Sequence, residues 1–238
     1  MMISRRNFLK AAGVGAAALG LAACGGSSSS VAASSASGTA SSAAGTAQGG
    51  TLNIMLETEV QSLDPQVATD GTSFEVIADY TDGLMQMDAD GAAVPAIAET
   101  YDISEDGKTY TFHLRDGLKW SDGQALTAHD FEYGAYCLLN PDMGSPAAYS
   151  WFAIKNASAY NSREITDWAE VGVKALDDLT LEITLERPLN SFDRTIAVRG
   201  LYPLRQDFVE QVGSQQLGSS PETMLFSGPY IITDWVLE

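Results

Sequence analysis

A 26-residue tract with no charged or aromatic side chain limits which part of this chain can form a compact fold. Residues 25–50 contain nine Ser, seven Ala, six Gly and two Thr, with Val31 and Gln48 as the only others. Such a segment buries too little apolar surface to offset the entropy lost on ordering it. A compact body must therefore come from residues 51–238. We expect residues 24–50 to act as a flexible tether with a root-mean-square span of roughly 25–30 Å.

The composition excludes several classes of protein. Hydrophobic residues make up 45% of the chain, which is enough to form a core. Thirteen basic residues against 31 acidic ones give a net charge of −18, and this balance argues against binding nucleic acid or anionic lipid head groups. Two Cys and two His give neither a disulfide framework nor a Cys-based zinc site.

The N-terminus has the layout of an export signal. Residues 1–23 contain three basic and no acidic residues, and residues 11–23 form an unbroken run of Ala, Gly, Val and Leu. A positive segment before a short apolar one is typical of a signal peptide, and the run is shorter than the ~20 residues of a membrane span. Residues 4–10, SRRNFLK, resemble the twin-arginine export signal, with Arg5 and Arg6 as the arginine pair.

The end of this segment resembles a second signal. Residues 21–24, LAAC, are similar to a bacterial lipobox, in which the Cys thiol is acylated and becomes the new N-terminus. A thiolate is a strong nucleophile for accepting a diacylglycerol group. We therefore expect residues 1–23 to be removed and Cys24 to carry lipid. That would place the protein on the outer face of the cytoplasmic membrane, at the cell surface or in the periplasm.

Residues 51–238 mix strand and helix patterns without a regular strand–helix–strand repeat, which favours a mixed α/β fold. Thr127 with Asp130 at the third helical position predicts a capped helix that ends before Pro141. Cys137 lies in this helix, where a small buried side chain is expected. The other predicted helices run from Thr72 or Ser73 to Tyr80 and over 191–198 and 207–212. The predicted strands are 51–56, 84–87, 101–103, 109–114, 171–175, 179–185 and 230–236.

The sequence contains no recognisable group of catalytic residues. The chain lacks the zinc-protease, P-loop, nucleophile-elbow and dinucleotide-binding motifs. His113 alternates with strand residues, and His129 falls in the first turn of the capped helix. We expect no enzyme and no cofactor; an exported enzyme is the alternative, because twin-arginine export carries folded and often cofactor-loaded proteins.

Aromatic residues cluster along the chain around Ser145-Pro146. Side chains of this kind line a ligand cleft about as often as they fill a core, and the sequence leaves both roles open. The group consists of Tyr133, Tyr136, Tyr149, Trp151, Phe152, Tyr160 and Trp168.

Several segments of the body together resemble one family. They are residues 59–65, 81–84 with 94–101, 110–123 with 126–131, 173–181, and 226–230. The most specific is YTFHLRDGLKWSDG, residues 110–123. In this order they are similar to the extracellular solute-binding proteins of family 5, which serve peptide and nickel ABC transporters, and most of all to oligopeptide-binding proteins.

The resemblance implies a lobe of the type II periplasmic-binding-protein fold, with a cleft that closes over an extended oligopeptide for delivery to ABC permease subunits. It places Ser227, Gly228 and Tyr230 in a segment beside that cleft and Thr72, Ser73 and Phe74 in a loop on the same side. These six residues are the predicted ligand-binding residues of an expected monomer. The C-terminal lobe is absent, so a truncated, non-binding fragment is an alternative. Binding of a dipeptide, nickel or haem is another.

Overall fold

The structure is a computed structural model that describes residues 2–5, 51–52 and 55–235. The predicted tether, Arg6 and Cys24 lie outside these residues. Among the described residues, no helix is both long enough and apolar enough to cross a membrane. The described strands and helices confirm the mixed α/β class.

A four-stranded antiparallel sheet forms the centre of the body. Its strands are β5 (Ala98–Ile103), β6 (Thr109–Leu114), β7 (Val173–Asp177) and β8 (Thr180–Thr184), in the order β5-β6-β8-β7. Alternate β6 side chains are buried, and Phe112 pairs with Leu181 of β8. Strand β5 pairs with β6 and β7 pairs with β8, so the neighbouring predicted strands form two antiparallel hairpins. The first turns at Gly107, whose φ is +69°.

Helix α2 (Ala128–Leu139) covers this sheet and supplies much of the main core. Its predicted start is confirmed, because the Asp130 carboxylate accepts a hydrogen bond from the Thr127 N–H at 2.8 Å. The same oxygen accepts from Trp120 Nε1 at 3.2 Å, which ties the preceding turn to the helix. Cys137 is buried, as expected.

A second hydrophobic cluster surrounds helix α1 (Gly71–Tyr80). Its buried members include Leu63, Val76, Ile77 and Tyr80. The sequence predicts that Thr72 or Ser73 caps α1, and this is wrong: Asp70 is the N-cap, and its Oδ1 accepts from the Ser73 N–H at 2.8 Å. Thr72 and Ser73 therefore belong to the first turn of the helix.

The remaining elements flank these two clusters. Strands β3 (Met85–Met87) and β4 (Ala93–Pro95) form a short hairpin. Strand β3 corresponds to the predicted strand 84–87. The other helices are α3 (Ala157–Asn161), α4 (Phe192–Arg199) and α5 (Gln206–Val212). The last two match the predicted helices within one residue at each end.

A third sheet joins the two ends of the sequence. Strand β1 (Met2–Arg5) lies between β2 (Thr51–Leu52) and β9 (Tyr230–Asp234), antiparallel to both. Arg5 of the twin-arginine pair is opposite Tyr230. Strand β2 is shorter than predicted: Met55 and Leu56 are outside it, and residues 53–54 are not described.

The turn that precedes α1 contains a buried acid. Asp64 is 6% exposed, and its Oδ1 accepts from the Gln66 N–H at 2.8 Å. Burial raises the pKa of this carboxyl from its ordinary 3.8 to about 6, against the lowering effect of that hydrogen bond. The folded protein therefore holds this proton more tightly than the unfolded chain does.

This difference predicts a stability that falls as the pH rises. Between about pH 4 and pH 6 the folded state binds more protons than the unfolded state, so Asp64 lowers the free energy of unfolding by up to about 3 kcal/mol across that window. We expect Asp64→Asn to remove this part of the pH dependence and to stabilise the full chain above pH 6, as measured by urea unfolding at several pH values.

Asp116→Asn is the matched control, because it changes the net charge equally at an exposed position. Parallel pH profiles for the wild type and Asp64→Asn would contradict the assignment.

Candidate functional site

The first turn of α1 is held by hydroxyl groups that the sequence analysis named. Ser73 is fully buried, and its Oγ accepts from the N–H groups of Gln61 at 3.1 Å and Ser62 at 3.3 Å. The Thr72 hydroxyl lies 2.8 Å from that of Thr58. These bonds attach the segment before the helix to its start.

The last turn of α1 contacts the second predicted segment. The Tyr80 carbonyl accepts from the N–H groups of Gly228 at 2.8 Å and Ser227 at 3.1 Å. The hydroxyls of Ser227 and Thr81 are 2.9 Å apart. Tyr230 is buried in the cluster around α1. This segment therefore fastens strand β9 to the helix.

The six predicted ligand residues thus form two groups at opposite ends of α1. A ten-residue helix is about 15 Å long, so the two groups do not share one pocket. Their role in binding stays a prediction. Among them, Phe74 is half-buried and lines an open pocket.

This pocket, here called the Phe74 pocket, has a volume of about 430 Å³ including its open mouth, of which about 40 Å³ can hold the centre of a water-sized sphere. The loop before α1, the 3-10 turn over 148–151 with the residue before it, Gly200 and residues near the ends of three helices form it. Its lining residues are Pro65, Ala68, Thr69, Phe74, Leu138, Ala147, Tyr149, Ser150, Trp151, Arg199 and Gly200.

Two of the loops are joined directly. The Ser145 hydroxyl donates to the Gln66 carbonyl at 2.5 Å, and it accepts from the Ala147 N–H at 3.2 Å. The loop before α1 and the 3-10 turn Ala148–Trp151 are therefore held in a fixed relation. The pocket walls on these loops do not depend on a ligand to bring them together.

The pocket presents an aromatic and a cationic group to solvent. The Tyr149 side chain is 66% exposed, and Arg199 is exposed at the last position of α4. Gly200 follows with a φ of +62°, and this residue ends the helix. Exposed rings beside a cation suit a solute with apolar parts and a carboxylate.

The clustered aromatic residues divide between the two roles that the sequence left open. Trp151 and Tyr160 are buried in the main core. Tyr149 is the exposed member of the group. Phe152, Tyr133, Tyr136 and Trp168 are half-buried. Thr69 and Arg199 are not among the residues predicted from the sequence; for Arg199, a basic residue just before a helix-ending glycine is the only signal.

The two histidines contact acidic groups at the surface. His113 Nε2 lies 3.0 Å from Asp102 Oδ2, and His129 Nε2 lies 3.6 Å from Asp178 Oδ1. His113 is in β6 and His129 is exposed on α2, as predicted. Within the described residues there is no group of three or more His, Cys, Asp or Glu side chains placed to hold a metal ion.

The chain belongs to the bacterial extracellular solute-binding proteins of family 5. The model for the middle part of that family matches residues 92–238, and the model for the twin-arginine translocation signal matches residues 2–22. The chain is exported, as the sequence predicted. It spans about a third of the length of the curated relatives it matches.

Two curated relatives show the range of names in this family. The probable deoxycholate-binding periplasmic protein YgiS of Escherichia coli is 40% identical over 74% of this chain and 33% of its own length. The oligopeptide-binding protein OppA of Bacillus subtilis is 37% identical over 78% of this chain and 34% of its own. Both are named for binding a solute and not for catalysing a reaction.

Solved structures agree with the observed fold. The substrate-binding domain of an oligopeptide ABC transporter from Bacillus anthracis matches with a TM-score of 0.73 and 39% identity, covering 76% of this chain and 34% of that one. OppA of Listeria monocytogenes bound to peptide matches with a TM-score of 0.70 and 34% identity, covering 73% and 34%. The chain therefore corresponds to the N-terminal portion of such a protein, with a periplasmic-binding-protein-like fold.

The close contact between α1 and the segment before β9 leaves no room for a side chain at Gly228. A Cβ atom there would lie 2.7 Å from the Tyr80 carbonyl carbon and 2.8 Å from the Thr81 nitrogen, and both are backbone atoms that cannot move aside. We expect Gly228→Ala to lower the free energy of unfolding by about 1–3 kcal/mol, as measured by denaturant titration.

Gly71→Ala is the matched control, because a Cβ at Gly71 meets nothing within 4 Å and alanine favours a helix. The packing explanation fails if both variants have the stability of the wild type.

Proposed function

We propose that this chain is part of the substrate-binding lipoprotein of an ABC importer and that the complete protein captures oligopeptides. The observation that carries the proposal is the TM-score of 0.73 to an oligopeptide-transporter domain, together with a pocket on the same chain that exposes aromatic and cationic groups. The names of the relatives and the export signal support it.

The lining of the Phe74 pocket determines which groups of a peptide we expect it to bind. In this proposal an apolar peptide side chain contacts Phe74 and Tyr149 at the open mouth of the pocket, and a peptide carboxylate pairs with Arg199. Thr72 is half-exposed on the helix turn that carries Phe74. In this proposal Thr72 and Phe74 lie on the peptide side of α1.

The other four predicted residues act indirectly in this proposal. Ser73 is buried, and Ser227 and Gly228 donate backbone hydrogen bonds to the last turn of α1. Tyr230 is packed in the cluster beneath the helix. They hold α1 in place, so their substitution changes binding through the position of Phe74.

Two observations support the alternatives to an oligopeptide-binding protein, namely another solute and a non-binding fragment. The relative named for binding deoxycholate makes an amphipathic carboxylate a second candidate solute, which also suits a pocket with two rings and an arginine. The position of β1 supports the fragment reading. Removal of a signal that includes residues 2–5 takes away the strand between β2 and β9. The facing edges of those two strands then lack a partner within the described part of the chain, which favours a fragment that does not bind on its own.

Lipid attachment at Cys24 completes the proposed arrangement. The lipobox-like residues 21–24 precede the uncharged tether, which holds the binding domain away from the membrane. The intact mass of the protein from the membrane fraction tests this step. We expect acyl chains on the wild type and a soluble, unacylated product for Cys24→Ser; an unacylated wild type would exclude a lipid anchor.

Binding to the Phe74 pocket is tested by titration calorimetry of the full chain with an oligopeptide, the same peptide with an amidated C-terminus, and deoxycholate. We expect the peptide to bind, the amidated form to bind more weakly, and Tyr149→Ala to weaken binding roughly 3- to 10-fold through the loss of one ring contact. Val198→Ala is the control, because Val198 is exposed on α4 and does not line the pocket.

The results of these titrations distinguish a peptide-binding chain, a chain that binds another carboxylate and a non-binding fragment. Equal binding of the two peptide forms excludes the carboxylate pairing with Arg199. Binding of deoxycholate alone replaces the peptide as solute. A chain that binds neither solute supports the non-binding fragment.

A further inference from the structure

A second open pocket lies along one side of α2 and shares no lining residue with the Phe74 pocket. Its volume is about 780 Å³ including its open mouth. Four lining residues come from α2 at spacings of three and four, so they form one stripe of the helix. The lining residues are His129, Glu132, Tyr133, Tyr136, Trp168, Gln206 and Glu210. We call it the Trp168 pocket.

Three half-buried aromatic rings form its walls. The rings of Tyr133 and Tyr136 are stacked, with centroids 5.8 Å apart and an interplanar angle of 26°. Trp168 is perpendicular to Tyr136, at 5.4 Å and 89°. Tyr160 packs edge-on against the same indole at 5.4 Å. The walls therefore present ring surfaces in two directions at a right angle.

The indole is held by hydrogen bonds as well as by packing. Trp168 Nε1 donates to Glu132 Oε1 at 3.2 Å, and Glu132 Oε2 accepts from the Ala175 N–H at 2.9 Å. Glu132 thus connects the indole to strand β7. The ring orientation is fixed without a ligand, which reduces the entropy lost on binding.

The charge of the pocket favours a cation. The lining contains two carboxylates, Glu132 and Glu210, and no Lys or Arg among its seven described residues. His129, which also lines the pocket, is 3.6 Å from the Asp178 carboxylate. An anion would be repelled, and an uncharged apolar ligand would remove carboxylates from water without compensation.

We propose that the Trp168 pocket binds a quaternary ammonium group. Such a cation is attracted to the faces of Trp and Tyr rings. It carries no N–H donors, which suits a pocket where three of the four carboxylate oxygens already accept hydrogen bonds, from Trp168, Ala175 and Gln206. A guanidinium group brings five donors that need acceptors.

Titration calorimetry of the full chain with choline tests the proposal. The control ligand is the uncharged isostere in which a tert-butyl group replaces the trimethylammonium group. We expect saturable binding of choline at millimolar concentration and binding of the isostere that is at least about 10-fold weaker, since the cation–ring attraction and the carboxylate charge are lost.

Two variants assign the binding to this pocket. Tyr136→Ala removes a wall and is expected to weaken choline binding by about 10-fold or more. Glu210→Gln keeps the shape of the pocket and is expected to weaken binding about 3-fold. Glu105→Gln, in the exposed turn between β5 and β6, makes the same charge change and is expected to leave binding unchanged.

A further arm separates a free solute from a lipid head group. Binding of dissolved choline supports a soluble ligand. Binding only to vesicles of phosphatidylcholine, weakened by about 10-fold or more in Tyr136→Ala, supports a lipid head group with the same chemistry. Equal affinity for choline and its isostere, tighter binding of arginine, or no saturable binding to either choline source would overturn the proposal.

Discussion

One backbone oxygen connects the beginning of the folded body to its end. The Tyr80 carbonyl, at the last residue of α1, accepts hydrogen bonds from Ser227 and Gly228, just before β9. The residues between them form the central sheet and the main core. Because the missing Cβ of Gly228 lets the two backbones meet, this contact sets the position of α1 relative to β9. The position of Phe74 on the first turn of the same helix depends on it.

Local patterns predicted the parts of the fold that local interactions determine. The hairpins over 101–114 and 173–184 and the capped helix α2 follow from alternation, turn residues and the Thr127–Asp130 pair, all close together in sequence. The N-cap of α1 was harder to predict from the sequence than that of α2, because Asp70, Thr72 and Ser73 all have side chains that cap helices. The structure selects Asp70 since Ser73 is needed to accept from the N–H groups of Gln61 and Ser62.

The candidate site depends on contacts between distant parts of the sequence. The bond between Ser145 and Gln66 and the approach of Arg199 to Phe74 have no local signal. The same limit applies to the aromatic residues, whose spacing did not separate exposed Tyr149 from buried Trp151 two positions later. A 3-10 turn makes that division, because it exposes Tyr149 while Ala148 and Trp151 on either side enter the core. The family resemblance placed the predicted ligand-binding residues in two segments of the chain without showing which of their side chains face solvent.

Hydrogen–deuterium exchange on the full chain, with and without an oligopeptide, tests the central claim that the Phe74 pocket is the solute-binding surface of this lobe. The account predicts that the peptide slows exchange in three separated segments, residues 65–74, 147–151 and 199–200, and leaves the β5–β6 turn unchanged. Slowed exchange confined to other segments, with these three unaffected, would contradict it.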